Sequence, residues 1–525
     1  MTPAEAPAEN LAENLAENLA GILDGPAEAA PERIALVMDD GTTCSYGELR
    51  AEVRRWAATL GHAGVGPRDR VALVDWGGVR SAAATLGAAH LGAATTQMNP
   101  LLTARELAQL VEVSASGLVG VAGADGREHL AAALGPDGTI LDRPDRSTGG
   151  GDGGGGDGGG GEAAGAAPAA GGDAAAVVLF TSGTTGLPKA VPLSHRAALE
   201  RIRAYRPPFD ADRPVNVSLM CAPSFHVGGL LGLFVSLYGG DTTVVLPRFD
   251  AGRWLALVAE HRVTSAFVVP AMLARILDHP DLAGTDTSSL RMLSYGAAAA
   301  PVALVERALE QWPDVGFANT FGQTETIGAY TSLSPADHRD PRRIGSVGRA
   351  LPGVEVEVVG PDGTPVEPDV VGEIWVRSTQ VVPASGTGLD DGWLHTGDLA
   401  RRDADGYLYP VGRTSDTINR GGEKFPPAEV ADRVRAHPSV ADVVVAGVPD
   451  PELGHRVGVA VVVRSGLAPP TRDELRDWCR SDLAPFKLPD LVVVVDALPF
   501  NELGKLPRAA AVELITGAAG TGGPT

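Results

Sequence analysis

From Ile34 onward, short apolar runs alternate with helix-length segments, and this alternation restricts the possible folds more than any other feature. An apolar run covers Arg70 to Asp75, a helical pattern follows from Val79 to Leu91, and Thr103 with Glu106 three residues on forms a capping box that opens another helix. Strands separated by helices of this length predict an α/β fold with parallel sheets covered on both faces. Past Gly412 the pattern changes. Pro427 to Ala436 and Thr471 to Leu483 read as helices, the second with a Thr471/Glu474 capping box, and Val440 to Val448, Val457 to Val463 and Leu491 to Val495 read as strands. That is a small α+β unit of about 100 residues, with two helices on one side of a small sheet, large enough to be a separate domain. The predicted boundary falls near Arg413.

The 525 residues carry 43 Lys+Arg against 65 Asp+Glu, a net charge of −22, and 44% are apolar. A polyanion repels nucleic-acid backbones and anionic lipid, so neither is an expected partner, although a local pocket can still hold a small anion. Cys44, Cys221 and Cys479 are far apart and have no metal-ligand spacing, which argues against a disulfide framework and a zinc site. The most apolar stretch, Gly228 to Gly240, is too short to span a membrane, and the N-terminus lacks a signal-peptide pattern. A cytoplasmic protein is expected. Lysine occurs four times, at Lys189, Lys424, Lys487 and Lys505, in a chain that otherwise writes its cations as arginine. A compact ammonium differs from a planar fork, so these positions are candidates for sites where the fork will not serve.

Two segments lack a globular pattern. Residues 1–30 include three copies of Ala-Glu-Asn-Leu that place Leu11, Leu15 and Leu19 on one helical face, and a frayed, weakly docked segment is expected there. Residues 149–173 are almost all Gly, Asp, Glu and Ala, which predicts a disordered loop. A phosphate-cradling loop is rejected for that stretch, because acidic residues interrupt it and no lysine or helix start follows. A flexible tail is expected over 516–525.

After the apolar run Ala174 to Phe180 comes Thr181-Ser182-Gly183-Thr184-Thr185-Gly186-Leu187-Pro188-Lys189. Its hydroxyls and glycines can converge on an anion, with Lys189 as a point charge. Pro188 and the strand-like Ala190 to Leu193 exclude a Walker loop, which needs a helix at that point. This nonapeptide resembles the phosphate loop of the adenylate-forming superfamily of acyl-CoA synthetases, luciferase and peptide-synthetase adenylation domains, and further signatures follow in the family's order from about Pro31 to Arg508. The resemblance implies a large multi-subdomain adenylating domain with stacked sheets over 31–413, and a mobile lid domain over 414–515.

It also implies roles. Thr181, Ser182, Gly183, Thr184, Thr185, Gly186 and Lys189 would hold the β- and γ-phosphates of ATP. In Asn319-Thr320-Phe321-Gly322-Gln323-Thr324-Glu325-Thr326, Asn319 would meet the adenine amino group, Phe321 and Gly322 the base, and Thr324 the α-phosphate or substrate carboxylate, while Glu325 would ligate Mg²⁺. These residue types suit those ligands: an aromatic face for a base, a hydroxyl for an oxyanion, a hard carboxylate for magnesium. The backbone of Gly296, Ala297 and Ala298 would line the adenine pocket. His226, Val227 and Gly229 fall where the family forms its acyl pocket, His226 being either a wall or gate or a structural histidine. Asp398, in His395-Thr396-Gly397-Asp398, would clamp the ribose, with Arg413 beside it. Gly421, Gly422 and Lys424 would face coenzyme A, and Lys505, in Asn501 to Arg508, falls at the family's catalytic lysine. The chain departs from the family pattern at the hinge, where Ser415 replaces Asp or Lys, at His455, where Glu is common, and in a shortened stretch between Arg377 and Gly392.

The expected activity is an ATP- and Mg²⁺-dependent carboxylate:CoA ligase that makes an acyl-adenylate and then a thioester by domain alternation. Alternatives are one half-reaction alone, transfer to a carrier protein, a non-catalytic nucleotide-binding scaffold, or luciferase-type oxidation. Small and apolar residues around Ser224 to Gly229, Ala266 to Met272 and Ser294 to Ala299 suit a bulky or extended hydrophobic acid, whereas the Asn-Arg-Gly-Gly-Glu-Lys loop also resembles oxalate-activating relatives. Oligomeric state has no signature in the sequence.

Overall fold

The computed structural model describes residues 18–144, 171–182, 188–384, 389–420, 423–500, 506 and 508–521, with the backbone alone at Ser182, Lys424 and 518–521. The expected α/β architecture is present. A nine-stranded sheet and a six-stranded sheet form the body of the large domain, and a four-stranded antiparallel sheet flanks them. Alternation along the strands explains the layering. In Arg70–Val74, Val71 and Leu73 enter one core while Ala72 and Val74 enter another, and in Ile34–Met38, Leu36 and Val37 are divided in the same way. Side chains two apart share a face, so each sheet is apolar on both faces and must be covered twice. Helices Tyr46–His62, Val79–His90, His195–Tyr205 and Val227–Gly239 supply the core common to both sheets. Helices Ala251–Glu260, Pro270–Leu277 and Val302–Gln311 cover the far face of the larger sheet.

The small domain also follows the pattern read from sequence, with strands Val440–Asp450, Gly454–Val463 and Leu491–Val494 and helices Pro427–Arg435 and Arg472–Arg480. Both predicted capping boxes, Thr103/Glu106 and Thr471/Glu474, are formed. Two expectations need correction here. A third helix, Arg508–Thr521, covers the opposite face of the sheet through Ala511 and Ile515, so the expected flexible tail is helical as far as Thr521. It was missed because its apolar residues are mostly alanine, which gives weak periodicity.

The N-terminal segment is the second. Leu11 and Leu15 lie outside the described residues, but Leu19–Leu23 is a 3-10 turn and Asp24–Ala29 a helix, and Leu19, Ile22, Leu23 and Ala27 are buried in the central core. Asn18 caps the turn and donates through Nδ2 to Ala89 O at 3.1 Å. The Leu19 amide donates to Nδ1 of fully buried His195 at 3.1 Å, which fixes His195 as the neutral Nε2–H tautomer. Of the glycine-rich stretch, 149–170 lies outside the described residues. Its last residues, 171–173, form the turn before strand Ala175–Ser182, with the Arg196 guanidinium on Asp173 at 3.0 Å.

Burial lowers the His195 pKa to about 4. The unfolded chain therefore binds this proton between about pH 6.5 and 4 while the folded chain does not. Stability from this group is complete above pH 6.5 and is lost as the pH falls toward 4, by about 3 kcal/mol. Urea unfolding across that window should show a shallower acid loss in His195→Gln than in the native chain; equal slopes would remove His195 as the cause.

Candidate active site

The candidate site forms where the parallel order of the large sheet ends. Strands Met292–Gly296 and Gly316–Gln323 run parallel, with Tyr295 paired to Asn319 and Gly296 to Thr320, and the next strand, Gly328–Leu333, is antiparallel. Ligands in α/β proteins bind beyond the carboxyl ends of such strands, and Asn319, Phe321 and Gly322 occupy that end here. Close backbone approach dictates the small residues. A Cβ on Gly296 would sit 2.2 Å from Thr320 O, and one on Gly322 would sit 2.0 Å from Gly328 O. Ala297 holds a left-handed φ of 65° and is exposed, a backbone conformation that is costly for a residue with a Cβ. The alanine run does not open a helix; helix Val302–Gln311 begins after Pro301.

The chain then makes a single 3-10 turn, Thr324–Thr326, which presents Thr324 and Glu325. A turn this short satisfies only the first of its carbonyls internally and needs outside donors for the other two. The Thr324 carbonyl accepts from Ile327 N at 3.0 Å, that of Glu325 from Val382 N at 2.7 Å, and that of Thr326 from Arg201 Nη2 at 2.9 Å. Thr326 Oγ1 closes the base by accepting from Gln323 N at 3.0 Å and donating to Gly328 O at 2.6 Å. Glu325 is half-buried, and no hydrogen bond or ion pair among the described residues engages its carboxylate.

Opposite the turn lies the hairpin Leu394–Arg402/Leu408–Arg413, which joins the site through Gln323 Nε2 to Thr396 O at 3.5 Å. Each residue of His395-Thr396-Gly397-Asp398 has a local reason. His395 stacks on Trp375 at 3.9 Å, Thr396 Oγ1 donates to Ile374 O at 2.7 Å, and Gly397 takes φ 72°, where the ladder register shifts. Buried Asp398 is paired across the hairpin with Arg413, Nε to Oδ1 at 2.7 Å. Burial works against the Arg413 charge, yet Asp398, with Asp416 and Glu325 behind it, holds the guanidinium above its ordinary pKa. The sequence suggested the Asp398/Arg413 pair but not Tyr330. Tyr330 lies edge-on to Phe321 with centroids 5.3 Å apart, and burial and then the Asp398 charge push its phenol well up. A buried tyrosine on an apolar strand carries no sequence signal of such a neighbour.

The remaining candidates are distributed as follows. Thr181 pairs with Lys189 and Ser182 with Pro188 across the antiparallel pair Ala175–Ser182/Pro188–Ser194, whereas Gly183, Thr184, Thr185 and Gly186 lie outside the described residues. His226 precedes helix Val227–Gly239 and sits beside Phe225, ring centroids 4.7 Å apart. Gly229 faces its own backbone, since a Cβ there would lie 2.2 Å from Pro223 O, which gives this glycine a packing reason; exposed Gly228, unassigned in the sequence, is the one beside Phe267. Ser415 lies exposed in the 3-10 turn Thr414–Asp416, and its carbonyl accepts from Arg508 Nη1 at 2.6 Å. His455 accepts from Asn419 N at 3.1 Å. Lys424 is on strand Glu423–Phe425, paired with Asn419, whereas Gly421, Gly422 and Lys505 lie outside the described residues. Lys487 forms an ion pair with Glu429, which gives it a structural role. All three cysteines are buried and unpaired, and no cluster of metal-ligating side chains is present among the described residues. Among those residues, too, no helix is long and apolar enough to cross a membrane.

The parallel strand ends, the capped turn and the aspartate hairpin thus meet at one edge of an α/β body. The chain belongs to the AMP-binding enzyme family, whose profile matches residues 23–384, with the family's C-terminal domain matching 429–505. It is 31% identical to a fatty acid–[acyl-carrier-protein] ligase of Streptomyces coeruleorubidus, over 90% of this chain and 92% of that one. To a feruloyl-CoA synthase of an Amycolatopsis species it is 33% identical, over 91% and 95%. Among solved structures it is similar to the O-succinylbenzoate coenzyme A synthetase of Bacillus subtilis in complex with ATP and magnesium ion, with a TM-score of 0.77, 28% identity, and coverage of 93% and 98%.

Proposed function

We propose that the protein is an AMP-forming carboxylate:CoA ligase acting in the cytoplasm, where ATP and CoA are available. The observation that carries this reading is the convergence of the Thr324–Glu325 turn and the Asp398–Arg413 pair on one strand end, in a chain that matches both domains of the family. In the first step a carboxylate oxygen attacks the α-phosphorus of ATP, and the bond to pyrophosphate breaks. Asp398 offers two oxygens to the ribose hydroxyls, and Arg413 keeps that carboxylate charged. Phe321 and the backbone of Gly296 to Ala298 receive the base, with Asn319 at its amino group. Thr181, Ser182, Gly183, Thr184, Thr185, Gly186 and Lys189 hold the outer phosphates. Thr324 donates to the oxygen on which charge develops, and Lys505 neutralises the same centre from the lid.

Glu325 fits a magnesium site of the kind completed by substrate phosphates, being a hard carboxylate with no co-ligand cluster among the described residues. A magnesium ion held there offsets charge on the phosphate oxygens. In the second step the lid turns about Ser415, Gly421 and Gly422 replace Lys505 beside the acyl group, and Lys424 meets a CoA phosphate. The thiolate attacks the acyl carbon, and AMP leaves with its bonding electron pair. His226, Val227 and Gly229 border the acyl group, with Phe267 beside Gly228.

The acyl-carrier-protein ligase among the relatives supports a second acceptor, a carrier-bound thiol. Aliphatic, aryl and polycyclic acids supplied with ATP, Mg²⁺ and either CoA or a phosphopantetheinylated carrier protein separate the two. Acid-dependent AMP release with a CoA thioester is the expected result. Thioester on the carrier alone would transfer the reading to the second acceptor, and ATP turnover independent of every acid would reject both.

A further inference from the structure

Arg201, on helix His195–Tyr205, is 2% exposed, and no acid pairs with it among the described residues. Its Nη2 donates to Thr326 O at 2.9 Å, its guanidinium lies beside the Tyr205 side chain, 5.7 Å from the ring centroid, and its Nε has no partner among the described residues. Burial pulls its pKa below the ordinary guanidinium value, with Tyr205 the group acting against that fall. Buried cations are normally paired, because desolvation without a counter-charge is expensive. The neighbouring Glu200 is instead used to hold the strap beyond the turn, accepting from Thr379 Oγ1 at 2.9 Å, and Val382 of that strap caps the Glu325 carbonyl. One helix thus fixes the Thr324–Glu325 turn from both sides and leaves behind it a positive charge that no acid among the described residues balances.

We infer that Arg201 is a positioning residue whose missing counter-charge is the anion bound in front of the turn, the α-phosphate of the nucleotide or the acyl-adenylate. This rests on the proposed adenylate-forming reading. A carbonyl cap alone needs only a donor; an uncompensated charge gives a phosphate a preference that a neutral donor does not. The guanidinium points its positive field through the Thr326 peptide toward Thr324, so binding of the phosphate offsets a cost that the free protein carries.

The test compares AMP with adenosine, which differ by the phosphate. Calorimetric titration is run on the full native chain and on Arg201→Lys, Arg201→Gln and Arg201→Met. The native protein and Arg201→Lys should favour AMP over adenosine by a similar ratio. In Arg201→Gln, which keeps a donor for Thr326 O, and in Arg201→Met the ratio should fall about tenfold, with adenosine affinity unchanged and the ligand-free melting temperature not lowered in the Met variant. If Arg201→Met fails to fold, Arg201→Gln decides alone. An unchanged AMP:adenosine ratio in the neutral variants would overturn the inference. Failure of the native chain to bind either ligand would instead overturn the proposed function.

Discussion

Replacing Lys505 by methionine should cut formation of the acyl-adenylate by about a thousandfold while leaving thioester formation from a supplied acyl-adenylate within about threefold of the native rate. The reason is charge. Attack of a carboxylate on a polyphosphate brings two anions together, and one tethered ammonium removed from a preorganised site costs as much as an oxyanion-hole donor. The second half-reaction has a neutral anhydride carbonyl as its electrophile, and in the proposed cycle the lid has by then carried Lys505 away. Pyrophosphate exchange measures the first rate, and thioester formation from a synthetic adenylate the second. An equal fall in both would mean that the substitution damaged the lid rather than the chemistry.

Asp398→Ala should weaken AMP binding by about a hundredfold or more, since two hydrogen bonds to a charged carboxylate are worth about 3 kcal/mol together. Two effects compound: the ribose loses its acceptors, and Arg413 loses its partner at 2.7 Å. Asp398→Asn keeps the shape and one acceptor, and should fall between the two. Calorimetry with AMP and with 2′,3′-dideoxy-AMP separates the contributions: the alanine variant should bind both nucleotides alike, whereas a retained preference for AMP would show that the ribose is held elsewhere.

Much of this site is written in the sequence because its chemistry demands particular residue types at fixed spacing. The hydroxyl-glycine loop before Lys189, the Thr324-Glu325 pair and the aspartate of His395 to Asp398 are all polar groups in short motifs, and the structure gathers the last two at one strand end. The residues that escaped notice act by placement. Arg201 is one arginine among many, and its significance lies in a buried guanidinium meeting a carbonyl 125 positions away. Gly229, assigned to the acyl pocket by resemblance, has a packing reason that no sequence shows, because a side chain there would meet the Pro223 and Ala222 carbonyls. Strands and capped helices were legible through period and caps. The docking of Leu19 to Leu23 was not, because its anchor is a hydrogen bond to His195, from a helix far along the chain.

The account depends on an oxygen of the carboxylic acid becoming bonded to the α-phosphorus of ATP at the strand end beside Thr324. Heavy-oxygen-labelled acid, taken through one turnover with ATP, Mg²⁺ and CoA, reads this directly by mass spectrometry of the nucleotide product. The predicted result is AMP bearing one oxygen from the acid, with unlabelled pyrophosphate. Label in inorganic phosphate with ADP as the nucleotide product, or unlabelled AMP alongside a labelled thioester, would contradict it.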